Sequence, residues 1–182
     1  ADPSAVRARG GDGQTPLHEV KTVAMAEYLL EQGADIDARC IDHASTPAQY
    51  ALVDRPDVCR RLLDRGAAPD IFMAARLGDV ALATRLLDAD PSCAAARVNA
   101  SGYAPVPPFN IYCWSIGFNL SPHDVALRFG QADVHALLVA RSPSRVRFMQ
   151  ALLAADEPAA RAVIAEDPAL LASLTQEAHG HL

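Results

Sequence analysis

The chain has 182 residues, 51% of them hydrophobic but only 5% aromatic, with Ala and Leu the commonest types. That length can bury one core or a short array of repeats, and the Ala/Leu bias favours close-packed helices over a β-sandwich. The net charge of −6 argues against nucleic acid as the principal partner, and no apolar run nears the roughly 18 residues of a membrane span, so neither partner is expected.

In chain order, the first element opens in "GDGQTPLHEV" at residues 11–20. Thr15 can cap a helix through its hydroxyl, and Pro16 suits the first helical position, where its missing N–H is no loss. Leu17 begins a buried face. His18 reads as a structural bridge between turns through its two ring nitrogens rather than as a metal ligand or proton shuttle. Val23, Ala26, Leu29 and Leu30 follow at helical spacing, and Gly33 fits a left-handed helix end. This predicts a helix pair over 14–35.

The second element repeats the first. "TPAQYA" returns 31 residues later, from Thr15 to Thr46, and Leu62-Leu63 repeats Leu29-Leu30 after 33. With Val58 on the same face and Gly66 at the end, a second pair is predicted over 45–68. The third pair, 70–98, has its Leu86-Leu87 only 24 residues after Leu62-Leu63, so about nine residues of connection are missing. The fourth pair, 121–142, starts at "SPHDVA" and carries Leu137-Leu138, 51 residues after Leu86-Leu87. The surplus lies in residues 99–120. A fifth pair, 145–171, contains "FMQALLAADEP" from Phe148, which echoes "FMAARLGDVAL" from Phe72.

Asp-Pro recurs at 2–3, 90–91 and 167–168, each followed at similar distance by glycine. On this ground the chain is read as a piece of a longer array. It has no signal-peptide pattern. Cys40, Cys59, Cys93 and Cys113 lie far apart with no Cys-x-x-Cys, and read as reduced thiols of a cytosol, with disulfides or zinc the alternative.

No Gly-rich phosphate loop, His-Glu-x-x-His or Gly-x-Ser-x-Gly occurs. Ser121, Asp124 and His135 could be imagined as a triad, but Ser121 and Asp124 are better explained as a capping box. Asp42-His43 reads as a solvated turn, the terminal His179-Gly-His181 as a frayed end, and Arg60-Arg61 and Arg145/Arg147 as outer-face decoration. No catalytic residue, metal or cofactor is expected.

The quoted segments resemble the ankyrin repeat family, whose pattern includes T-P-L-H-x-A, a Leu-Leu helix and G-A-D. Gln49 stands where that pattern has His, and His123 and Asp124 replace its Leu and His. The resemblance implies an all-α solenoid of about five antiparallel helix pairs, with short β-hairpin fingers on one edge and one enlarged finger. It also implies protein–protein recognition without catalysis, another protein as partner, and finger contacts at Asp12, Gln14, Arg39, Ile41, Asp42 and Ser45.

Five of the ten aromatics, Tyr103, Phe109, Tyr112, Trp114 and Phe118, fall in the enlarged finger. Alternation in "NIYCWSIGF" predicts a strand with Tyr112, Trp114, Ile116 and Phe118 on one face. That face either folds back as a local core or stands out as a platform for a partner. A regulatory or targeting domain of a larger enzyme or secreted effector, and a small-ligand site under the insertion, remain alternatives. The Ala/Arg/Asp-rich, Lys-poor composition suggests a bacterial genome, with the protein cytoplasmic or delivered into a host cell. A monomer is expected.

Overall fold

The computed structural model describes residues 5–98 and 111–179, with side chains described as far as residue 174. Tyr103 and Phe109 lie outside the described residues. The chain is all-α: no strand occurs among the described residues.

The helices come in pairs: α1 (Pro16–Glu19) with α2 (Val23–Glu31), and α3 (Pro47–Ala51) with α4 (Pro56–Asp64). Next come α5 (Ile71–Leu77) with α6 (Val80–Ala89), then a lone short helix, α7 (Tyr112–Ser115). After it stand α8 (Pro122–Arg128) with α9 (Ala132–Arg141), α10 (Ser144–Leu153) with α11 (Glu157–Glu166), and α12 (Leu170–His179). Two of the steps from pair to pair join counterpart helices. α1 lies on α3 and α2 on α4, while α5 lies on α8 and α6 on α9.

Local chemistry sets the boundaries. α1, α3 and α8 all start at Thr-Pro or Ser-Pro, with Thr15, Thr46 or Ser121 extended at the N-cap and proline in the first turn. α2 and α4 end in glycines with φ of 85° and 95°, Gly33 and Gly66. The amides of Ala34 and Ala67 reach back to Leu29 O and Leu62 O, both at 3.0 Å, closing Schellman ends. The echo between the third and fifth pairs is visible as a shared cap: Asp79 Oδ1 accepts from the Leu82 amide at 2.8 Å and Asp156 Oδ1 from the Ala159 amide at 3.0 Å.

One apolar core runs from Val6 to Leu138 through Leu17, Leu52, Leu62, Phe72, Leu87 and Val125. A second, smaller one joins Phe148, Ala151, Ala160, Val163 and Leu170. Polar clamps cross between pairs. Arg55 at the start of α4 donates to His18 O at 3.0 Å and also to Val20 O, satisfying carbonyls that the end of α1 leaves open.

The predicted strand over 111–118 is instead a single helical turn, Tyr112–Ser115, followed by irregular turns. On a strand, residues two apart share a face, whereas on a helix they point about 200° apart. Tyr112 is accordingly fully buried while Trp114 is 72% exposed. The helix packs on α3, where the shortened connection before α5 leaves room.

Candidate functional site

The fingers are hairpin-like turns rather than regular strands. In the first, the Gly10 amide donates to Gln14 O at 2.9 Å and the Gly13 amide to Gly10 O at 3.0 Å. In the second, the Cys40 amide donates to Ser45 O at 3.1 Å. The two fingers lie side by side, with the Ile41 amide donating to Asp12 O at 2.8 Å. Gly13 has a φ of 75°, and a Cβ there would stand 2.7 Å from Ile41 N, so this junction requires glycine.

His18 holds the junction from below. Its Nδ1 accepts from the Thr15 amide at 3.0 Å and its Nε2–H donates to Ser45 O at 3.1 Å. Burial lowers its pKa below the ordinary 6.5, so the ring is neutral and its two nitrogens have opposite roles. Gln49 does the same work one repeat on: its Oε1 accepts from the Thr46 amide at 2.9 Å, and its Nε2–H donates to Asp70 Oδ2 at 3.1 Å. In the fourth pair the work is divided. Asp124 Oδ2 accepts from the Ser121 amide at 2.7 Å, and buried His123 meets Ser142 Oγ at 3.0 Å across to the end of α9. Ser121 and Asp124 therefore form a capping box.

The finger tips expose Asp12, Arg39, Ile41 and Asp42, with Ile41 77% exposed. Arg39 donates to Ala44 O at 2.6 Å, and half-buried Gln14 donates to Tyr50 Oη at 3.1 Å. Ser45, expected among the contact residues, is not on the surface. It is fully buried, its Oγ donating to His43 O at 3.0 Å and accepting from the Ile111 amide at 3.2 Å. The second bond fastens α7 to the second finger.

Tyr112, also expected as a contact, is likewise internal. Its ring packs on Phe72 at 5.6 Å between centroids, and its hydroxyl donates to Asp70 Oδ2 at 2.9 Å. Burial raises the phenol's pKa well above 10, which keeps it a donor. Asp70 is raised from its ordinary value too, by its own burial, and its remaining oxygen caps α5 through the Met73 amide at 3.0 Å. Trp114 and Phe118 face outward, edge to face at 6.1 Å. The base of the insertion is pinched by a pair of backbone bonds, Val98 N–H to Leu120 O at 2.9 Å and Asn119 N–H to Val98 O at 2.8 Å. The long segment thus leaves and rejoins the array at one point.

Beneath the second finger tip the structure assembles a polar cluster that the sequence reading took for a solvated turn. Cys40, Asp42 and His43 bring one Sγ, one carboxylate oxygen and one ring nitrogen within 4.8 Å of each other. Tyr50 Oη, from α3, lies 3.4 Å from Cys40 Sγ and 3.0 Å from His43 Nδ1. The signal was present as Cys-x-Asp-His, but Tyr50 reaches it only because Ala44 turns the chain with φ at 50°, a left-handed conformation uncommon outside glycine.

Stacked antiparallel helix pairs, projecting fingers and a His or Gln that ties each N-cap to the neighbouring repeat define a helical repeat solenoid. The ankyrin repeat family model matches residues 12–41, from the first finger through α1 and α2 to the tip of the second. That match covers one repeat and identifies this segment as an ankyrin repeat. Such repeats are in general protein–protein interaction modules and typically non-catalytic. No curated protein matches the sequence, and among the described residues no helix is long and apolar enough to cross a membrane.

Proposed function

We propose that the chain is a protein-recognition array, without catalysis, whose contact surface runs from the finger tips to α7. The observation that carries this reading is Trp114. A tryptophan 72% exposed, braced by a half-exposed Phe118, stands on a helix whose neighbouring Tyr112 is locked into the core. An aromatic anchor held rigid before contact loses little freedom on binding, and such residues dominate interface energetics. Exposed Ile41, with Asp12, Arg39, Asp42 and Gln14 around it, extends the surface along the second finger, to which Ser45 ties α7.

The matching partner is another protein with an apolar pocket for the indole and polar groups at its rim. The charge of −6 disfavours nucleic acid. The protein acts as a monomer, and its four free cysteines suit a reducing cytosol. The test is a comparative pull-down with the intact protein and the Trp114→Ala/Phe118→Ala variant, followed by titration with the purified partner. The variant should bind about 30-fold more weakly, which is the 2 kcal/mol of a hot spot. A partner that binds both proteins equally would overturn the assignment to α7.

A further inference from the structure

We propose that Cys40, Asp42 and His43 form a metal site of the zinc class in the second finger, with Tyr50 beside its fourth coordination position. The proposal stands apart from the partner-binding reading: either can fail without the other.

The donor set is one thiol, one imidazole and one carboxylate, the soft and borderline ligands that select zinc over magnesium or calcium. On a tetrahedral zinc, with bonds near 2.0–2.3 Å, such atoms lie about 3.3–3.6 Å apart. Here Asp42 Oδ2 is 2.7 Å from His43 Nδ1, and all three donors fall within 4.8 Å. The shortest pair must open by about 0.6 Å, within reach of side-chain rotation.

The surroundings already hold each ligand in place, as outer-shell partners of a metal centre do. The Ser45 amide donates to Cys40 Sγ at 3.4 Å, the kind of bond that supports a thiolate. The His43 amide donates to Asp42 Oδ1 at 2.8 Å, turning Oδ2 toward the imidazole. Gln14 donates to Tyr50 Oη at 3.1 Å, which leaves the phenolic proton for the cluster. At 3.4 Å from Cys40 Sγ and 3.0 Å from His43 Nδ1, the phenol is placed to hydrogen-bond a water or a partner's donor in the fourth position. Cys40 is buried, Asp42 exposed and His43 between them, so the site opens to solvent on one side.

Binding displaces the Cys40 thiol proton to bulk water, and ligation through Nδ1 requires the His43 tautomer with its proton on Nε2. One proton is released per metal bound. The experiment titrates the reduced full chain with Co²⁺ and then Zn²⁺. A thiolate-to-cobalt charge-transfer band and the intense visible bands of a tetrahedral ion are expected, both abolished by one equivalent of Zn²⁺. His43→Ala, which changes a partly buried side chain, should weaken Zn²⁺ binding by at least about tenfold, as should Asp42→Asn. Cys40→Ser should remove the charge-transfer band, while Cys93→Ser and His179→Ala/His181→Ala should retain it. Absence of the band in the wild-type chain overturns the proposal. So does a metal affinity that His43→Ala leaves unchanged, or a band that disappears in the His179→Ala/His181→Ala variant.

Discussion

The hydroxyl of Tyr112 donates to Asp70 Oδ2 at 2.9 Å, joining α7 to the N-cap of α5 across 42 residues of sequence. Gln49 reaches the same oxygen from α3 at 3.1 Å, so one carboxylate ties three elements together. Tyr112→Phe keeps the ring on Phe72 but removes a donor from a buried carboxylate. A loss of about 1–3 kcal/mol is expected, with the helical circular-dichroism spectrum unchanged. Tyr112→Ala also empties the ring's place, and should cost about 3–5 kcal/mol. Equal denaturant midpoints for wild type and Tyr112→Phe would show that the bond contributes nothing.

His18 predisposes the array to acid. Its folded pKa is pushed by burial below the ordinary 6.5, so an unfolded chain takes up a proton in a range where the native ring stays neutral. The unfolded state then binds more protons, and stability falls as the pH is lowered. The contribution is complete above pH 6.5 and is lost as pH falls from there through the folded pKa. His123, lowered by burial in the same direction, adds to the effect. Gln49 shows that glutamine can fill this position, so His18→Gln should retain most of the stability near pH 7.5. Its decline toward pH 5 should be shallower, by up to about 1.4 kcal/mol per pH unit. Thermal melts across that range check this. Parallel curves would mean that His18 does not titrate in the transition.

Gly13→Ala should be among the most damaging small substitutions in the chain. At φ 75° alanine is already strained, and its Cβ would meet Ile41 Cγ1 at 2.4 Å and Ile41 N at 2.7 Å. The side chain could rotate away, but the backbone nitrogen is fixed by its bond to Asp12 O. A loss of more than about 1 kcal/mol is expected. Gly66→Ala, where the new methyl meets nothing within 4 Å, isolates the conformational part of the cost. If the two variants melt together, the contact with Ile41 is immaterial.

Much of the architecture was legible because it is written in local chemistry. Thr-Pro before a helix, Leu-Leu at its end and a following glycine are each decided within a few residues, and they recur. What was hidden depends on distant partners. Nothing near Ser45 reveals that its Oγ will accept an amide 66 residues away, so it was expected at the surface and is buried. Alternation over "NIYCWSIGF" fits a strand, yet a short apolar run does not distinguish strand from helix. Tertiary packing decides, and Tyr112, with Asp70 and Phe72 to meet, makes the segment helical. The cluster around Cys40 was missed for a similar reason, since its geometry hangs on an alanine in a left-handed turn.

Trp114 gives the sharpest contrast with Tyr112, two residues away on the same helix. Tyr112 faces the core and Trp114 faces solvent, because two residues of helix turn the side chain by about 200°. The two positions should therefore separate stability from recognition. Trp114→Ala removes a ring whose only ring contact among the described residues is Phe118, itself 53% exposed. Its effect on the unfolding midpoint should stay within about 0.5 kcal/mol, as for other surface positions. Its indole fluorescence, the only tryptophan signal in the chain, should be red-shifted and readily quenched by acrylamide in the free protein. On partner binding it should shift to the blue and become protected. An emission maximum already blue and shielded in the isolated protein would place Trp114 inside the array. The recognition surface would then have to be sought at Asp12, Arg39, Ile41 and Asp42 alone.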